Sequence, residues 1–479
     1  MSTDKIKRSH PHSHDIIDLA LAKFFFGCNI SMNVIESELF REFIKLLNPY
    51  YKVPSRKKLS HQLLDKVHNE IISKDVKQHE TMGVLLIDGW KNSAANSKLI
   101  VSTIHTVMDK SVYLNSWDLT GIRETGEVLI KIVNEATEIA KNKFNIRIYA
   151  IVSDNASAMI LMGNSVDLWH VTCASHSGNL LAKSLVNSKY AESVNRLLRE
   201  FKQPGPEKEI IERGGQKIIL ACETRWCSYR DAFRCCLKNL SIMRQIIKDK
   251  TITIKTECSK ILFSEDFETT LQDYILIFDP VCTLINKCQQ SNTNIADACE
   301  EWFKLIIPTA NDNYEKIIEE RLKKALRPSI LTANFLHPTY KGKKFMHIEK
   351  YRCEVYNFLS KELNVKNLCD HLGIQAFLHG TDIFKILDSK NLTFPHTYWF
   401  MASKKYPDLA ELADKLMKIP ASSAQIERLF SQWSFVHSDI RNRLTTERSQ
   451  KLIEIYYSLK MSNRCDKYID DNVDITYDD

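Results

Sequence analysis

The stretch GVLLIDGW (83–90) decides how this 479-residue chain is read. An apolar run, Val84 to Ile87, stops at Asp88 and is followed by a glycine and a tryptophan. KLIVSTIHTVM (98–108) and SVYLNSWDL (111–119) come next, again rich in Val, Ile, Leu and aromatic residues. Runs of this length and composition read as strands. With Asp109-Lys110 as a two-residue connection between the second and third, the three form an antiparallel meander. Val128, Leu129, Ile132, Val133, Ala136, Ile139 and Ala140 then recur at the spacing of one helix face. A fourth strand, IRIYAIVSD (146–154), ends at Asp154. A short apolar run, LWHVTC (168–173), and a helix from about Ser175 close the block.

The order β-β-β-α-β-α-β-α is that of a ribonuclease-H-like sheet, with one last helix to come from further along the chain. Residues 191–410 are helical in pattern almost throughout, as in CLKNLSIMRQIIKD (236–249), LQDYILIFDPVCTLINKC (271–288) and NYEKIIEERLKKALR (313–327). The expected fold is therefore α/β: a ribonuclease-H-like mixed-sheet core interrupted by a large all-helical insertion. The expected divisions are a disordered tail (1–15), an N-terminal helical region (16–80), the first part of the core (81–190), the insertion (191–410), a C-terminal region completing the core (411–462) and an acidic tail (463–479). In the N-terminal region Ser60 is the expected cap of the helix HQLLDKVHNEIISK (61–74). Near the C-terminus helices are expected over 422–435 and 446–460, joined by a basic turn, HSDIRNRL (437–444).

Composition narrows the function. Hydrophobic content is 44% and charged content 26%, both ordinary for a globular protein. No apolar run is long enough to span a bilayer, and the polar start MSTDKIKRSHPHSHD has no signal-peptide pattern, so no membrane partner is expected. Thirteen cysteines at irregular spacing point to reduced thiols in the cytosol or nucleus. A net charge of +7 permits a nucleic-acid partner without demanding one. Walker, GxGxxG and GxSxG motifs are absent, so nucleotide hydrolysis and serine acyl transfer have no support.

Asp88, Asp154 and Glu427 suit phosphoryl transfer on two Mg²⁺ (or Mn²⁺) ions. Paired hard cations activate the attacking oxygen and stabilise the leaving one, and they take oxygen ligands. A carboxylate at the end of a strand is held by a rigid sheet yet reaches solvent. Taken singly, each aspartate is an ordinary turn residue. Glu427, beside the apolar stripe Ile426, Leu429, Phe430 and Trp433, reads locally as a rim residue. Cys173 and His176 look like half a zinc site, but His170, Cys222 and Cys227 do not complete a known spacing, so a structural pair is expected. Trp226 beside Arg225 could stack on an extruded base while the guanidinium holds a phosphate. Arg441 and Arg443, with Lys52, Arg56, Lys57 and Lys58, are candidate phosphate contacts.

Together these segments resemble the transposases of the hAT superfamily. The resemblance runs from about residue 16 to 460. It rests on LLIDGW, SDNASAM, CASH, CETRWCS, NFLHPTY (334–340), YWFMAS (398–403) and IPASSAQIERLFS, the last being the most diagnostic. It implies that Asp88 and Asp154 are the catalytic aspartates, Glu427 the catalytic glutamate, Cys173 and His176 the C-x-x-H pair, and Trp226 the support of a flipped base. It implies cut-and-paste transposition in the nucleus: cleavage at element ends, hairpin closure of flanking DNA, and attack of the freed 3′-hydroxyls on target DNA. DNA is then one partner. A second copy is the other, giving a homodimer or higher homo-oligomer through residues 415–460. There Leu452, Ile453, Ile455, Tyr456 and Tyr457 span more than one helix face, some for the core and some for a partner. No BED zinc finger precedes the core in this sequence. That leaves the alternative of an inactive, host-adopted or decayed derivative acting as a nuclear DNA- and protein-binding dimer.

Overall fold

The computed structural model describes residues 14–75, 80–92, 97–106, 111–222, 227–307, 312–436 and 446–464. The protein is mixed α/β. Five strands, β1 (Thr81–Asn92), β2 (Ser97–Thr106), β3 (Ser111–Asp118), β4 (Ile146–Ser153) and β5 (Trp169–Thr172), form one sheet in the order β3-β2-β1-β4-β5. β1 pairs antiparallel with β2, and β2 with β3, with a register shift at Ser102/Thr103. The meander expected from sequence is therefore present. Its Asp109-Lys110 connection lies outside the described residues.

β1 and β4 run the same way. The Thr81 N–H donates to the Asn145 carbonyl at 3.0 Å, so the two strands start side by side. Gly83 sits where they meet: a Cβ there would lie 2.6 Å from Ile104 on β2 and 2.9 Å from Ile146 on β4. That close approach is why a glycine opens the run. Asn145 ends the preceding helix, Gly126–Phe144, in the left-handed conformation (φ 52°) that asparagine tolerates. Thr125 caps the start of that helix, and Leu129, Ile132, Val133, Ala136 and Ala140 are buried along it.

One expectation is corrected in β1. Asp88 does not end the strand; pairing continues through Lys91↔Lys98 and Asn92↔Ser97. Those residues are polar, so local hydrophobicity stops at Ile87 while the ladder, which depends on the partner strand, goes on.

The chain divides into two compact units. The first comprises residues 1–151, 165–168 and 425–479. It holds β1 to β3, most of β4, and the helices His14–Gly27, Leu64–Asp75, Gly126–Phe144 and Thr446–Arg464. The last of these is keyed to the sheet and its neighbours by polar contacts. Gln450 Nε2 donates to the Ser116 carbonyl on β3 at 3.0 Å. Glu454, 8% exposed, bonds His68 at 2.8 Å and Lys143 at 2.7 Å. Leu452, Ile453, Ile455 and Tyr457 are all buried within the chain's own fold and Tyr456 is half-buried, so this helix spends its apolar positions on its own core.

The helix expected after Ser60 starts earlier. Ser55 accepts the Lys58 N–H at 3.2 Å, and helical turns run on through 59–63 into Leu64–Asp75. Ser60 instead donates to the Lys57 carbonyl at 3.3 Å from inside the helix. Ser55 is itself extended (φ −69°, ψ 155°), the conformation that suits an N-cap.

The second unit comprises residues 152–164 and 169–424. From Ala174 to Met417 its described elements are helices, with two aromatic centres. In one, Phe233 meets Tyr190, Tyr229, Tyr274 and Phe278. In the other, Phe377 and Phe384 pack on Tyr398 and Trp399.

Candidate active site

Asp88 lies on β1 after four side chains that are each 1% exposed or less, Val84 to Ile87. Such a run covers both faces of the sheet. Asp88 itself is half-buried, and its Oδ1 accepts the Gly89 N–H at 2.8 Å. Trp90, two residues on, shares its face of the strand.

Glu427 lies in the first turn of the helix Ala424–Val436 and is also half-buried. Ile426 and Leu429 are fully buried. Phe430, one turn beyond Glu427 on the same side, stacks on Trp90 with ring centroids 6.1 Å apart and planes 14° from parallel. Gln425 Oε1 accepts the Ser111 hydroxyl of β3 at 2.5 Å. Two separate contacts thus fasten the glutamate's helix to the sheet that carries the first aspartate. Aromatic stacking of this kind adds about 0.5–1.5 kcal/mol beyond the area it buries.

Asp154 follows β4 directly and belongs to the second unit. Its Oδ1 accepts the Ala156 N–H at 2.9 Å, an Asx turn that leads into the helix Ser157–Ser165. The turn is braced on both sides. Asn155 and Ser177 exchange hydrogen bonds at 2.9 and 3.2 Å. The Ser153 hydroxyl donates to the Asp154 carbonyl at 3.1 Å, so its oxygen is left to accept from His170 Nε2 at 2.8 Å. Burial, with the charge of Arg327 adding to it, lowers the His170 pKa to about 3, so the imidazole is neutral. A Cβ on Gly163 would fall 2.0 Å from His170 Nδ1, so only glycine leaves room for that ring.

Cys173 is fully buried and follows β5. Its N–H donates to the Ser153 carbonyl at 2.7 Å, and its sulfur bonds the Ser175 hydroxyl at 3.1 Å and accepts the Ser423 N–H at 3.4 Å. Burial raises its pKa and keeps the thiol protonated. The Ala174 N–H donates to the Ala421 carbonyl at 2.9 Å, and Ser422 Oγ donates to the Cys288 carbonyl at 2.8 Å. The proline-serine turn ahead of Glu427 is therefore clasped within the second unit by the CASH segment. His176, in the first turn of the helix Ala174–Leu185, is half-buried. Among the described residues no three His, Cys, Asp or Glu side chains are gathered as around a metal ion.

Arg225, Trp226, Arg441 and Arg443 lie outside the described residues. The flanks of the first pair are anchored: Ala221 exchanges bonds with the Asn195 side chain at 2.9 and 3.1 Å. Ser228 Oγ accepts the Cys222 N–H at 2.8 Å. Of the other basic candidates, Lys52, Arg56 and Lys57 are exposed, but Lys58 is tied at 2.7 Å to buried Asp18.

Residues 384–459 match the hAT family C-terminal dimerisation region. The chain carries this hAT region. The resemblance to hAT transposases drawn from the motifs is thus borne out. A protein of Zea mays named as an AC transposase is 23% identical over 514 aligned positions, covering 88% of this chain. The chain spans 62% of that relative's length.

Two contacts of the site were not foreseen in the sequence. Trp90 and Phe430 stand within the quoted motifs, but only tertiary structure shows that they pair. The Asn155–Ser177 exchange joins SDNASAM to the residue after CASH, and no local pattern announces it.

Proposed function

We propose that this hAT transposase-like protein cuts and joins DNA on a ribonuclease-H-like core, with Asp88, Asp154 and Glu427 as the metal-bound carboxylates. The observation that carries the reading is the Trp90–Phe430 stack, which fastens the glutamate's helix to the aspartate's strand. Strand order adds support. β1 and β4 are neighbours that start together, and each aspartate lies towards the far end of its strand from that start.

All three donors are carboxylate oxygens, which fit Mg²⁺ or Mn²⁺ rather than a thiophilic metal. Mg²⁺ commonly takes one or two protein carboxylates together with substrate phosphates. DNA phosphate would supply further oxygen ligands. When bound, such ions lower the pKa of water and offset charge on the leaving oxygen. The protein's own part is to hold the carboxylates: the Gly89 and Ala156 N–H groups each engage one oxygen of an aspartate. Arg225, Arg441 and Arg443 would contact phosphates, and Trp226 would support an extruded base as hairpins form. The protein would act in the nucleus as a homodimer or higher homo-oligomer.

The test is nicking of supercoiled DNA by the full chain with Mg²⁺ or Mn²⁺, wild type against Asp154→Ala. Loss of one oxygen ligand should slow nicking by at least about a hundredfold, a transition-state cost of roughly 3 kcal/mol. Equal rates for the two proteins, or no nicking by either, would overturn the catalytic reading.

A further inference from the structure

Arg213, Arg234 and Arg244 of the second unit each hold a carboxylate oxygen, at 2.7, 2.7 and 2.9 Å. Arg321 and Arg327 of the same unit are half-buried, yet neither has a carboxylate partner among the described residues. Arg327 stands between the helices Asp312–Ala325 and Pro328–Leu336. Its side chain makes one hydrogen bond to a described residue, from Nη1 to Asn164 Oδ1 at 3.3 Å. A guanidinium carries five N–H donors, so most of them stay open. Burial draws the Arg327 pKa down, and no carboxylate among the described residues opposes it. His170, which feels the Arg327 charge, is neutral and offers no countercharge. Burial lowers the Arg321 pKa as well, with only Glu320 pulling the other way. Lys324, exposed and one turn beyond Arg321 on the same helix face, adds a third cation. Withdrawing a cation from water without a partner costs stability. Such a guanidinium suits an anion from outside the chain, and its planar fork matches a phosphate.

Asn164 fixes where that anion would lie. It stands near the end of the helix Ser157–Ser165, into which the Asp154 turn leads. Nine residues of helix rise about 13 Å, so Arg327 sits beside the end of this helix opposite Asp154. One strand of DNA carries a phosphate every 3.4 Å or so along the duplex axis, so about 13 Å is on the order of four nucleotides. We propose that Arg327, with Arg321 beside it in the chain, receives backbone phosphates of the DNA strand about four nucleotides from the phosphate at Asp154. The proposal rests on the DNA-processing reading above and gives it a contact that no motif of the sequence marks. Phosphate contacts fix the register of the DNA without reading its bases, so Arg327 is a positioning residue for the strand at Asp154.

Fluorescence anisotropy of the full chain with a labelled DNA duplex, in EDTA and over a range of salt, tests this. The proteins are wild type, Arg327→Gln, Arg321→Gln, the two combined, and Arg196→Gln as a charge-matched control whose guanidinium is already held by Glu257 at 3.2 Å. Each of the first two single variants should bind about five- to tenfold more weakly near 0.1 M salt, and the slope of log affinity against log salt should shrink by about 0.9. The combined variant should lose about twice as much slope, and Arg196→Gln none. Arg327→Lys, which keeps the charge, should restore most of the slope. The thermal midpoint of Arg327→Gln should equal or exceed that of wild type, because an unpaired half-buried cation is removed. Affinity and slope unchanged in both single variants would overturn the inference and leave the catalytic reading standing. A lowered thermal midpoint with wild-type DNA affinity would make Arg327 a structural residue and overturn it too. The expected slopes, with no nicking by wild type in the assay above, would support the phosphate contact and overturn the catalytic reading instead.

Discussion

The sheet-bearing unit and the helical unit offer two kinds of contact to compare. In the first, long-range polar contacts key one element to another: Glu454 to His68 and Lys143, Asp18 to Tyr51 and Lys58, Gln450 to Ser116. In the second, ring clusters stand beside such contacts, as around Phe384, which meets Phe377, Tyr398, Trp399 and Tyr406. Polar keys accept few geometries, because each misplaced partner leaves a buried group unsatisfied. Apolar packing tolerates more variation in detail.

The difference can be broken most severely in the helical unit. Trp399→Ala removes a fully buried ring and its Leu336 bond, and should cost about 4 kcal/mol in denaturant unfolding. That cost should be the same at pH 7 and pH 4, since no titrating group is lost.

Glu454→Gln probes the sheet-bearing unit and should cost roughly 3 kcal/mol near neutral pH. Burial by itself would raise the Glu454 pKa, but the His68 bond and the nearby Lys143 charge outweigh it and lower the pKa from its ordinary 4.5. A carboxylate with a lowered folded pKa stabilises the fold above its unfolded value, and the contribution is lost as pH falls through the folded one. The gap between wild type and Glu454→Gln should therefore be full above about pH 5 and should shrink below pH 4.5. A gap independent of pH would show that the cluster is not keyed by charge.

The smallest effect expected is at Ser55. Ser55→Ala should cost about 1 kcal/mol, and Ser60→Ala less, because Ser55 carries the cap.

Much of the strand unit was legible because its signal is local. Short Val/Ile/Leu runs bounded by polar residues gave all five strands and the helix between the third and fourth. What was illegible depended on partners distant in sequence. β1 runs past Asp88 because β2 continues to pair with it, and the cap falls at Ser55, whose extended backbone lets its hydroxyl accept the Lys58 N–H. Leu452 and Ile453 looked equally fit for a core or a partner, since periodicity marks an apolar face without saying what covers it. At the candidate site the aspartates followed from strand ends and element order. Glu427 rested on the resemblance alone until the Trp90–Phe430 stack tied its helix to β1. Arg225, Trp226, Arg441 and Arg443 lie outside the described residues; the role of Trp226 rests on the resemblance and those of the arginines on their charge and local sequence.

The central claim is that Asp88 and Glu427 face one metal site. Electron paramagnetic resonance of Mn²⁺ titrated into the full chain with DNA present tests it most directly, using wild type, Asp88→Asn and Glu427→Gln. Each substitution should weaken Mn²⁺ binding at least tenfold, and the double variant should be little worse than the weaker single one, as for ligands of a shared site. Mn²⁺ binding unchanged in both single variants would contradict the account.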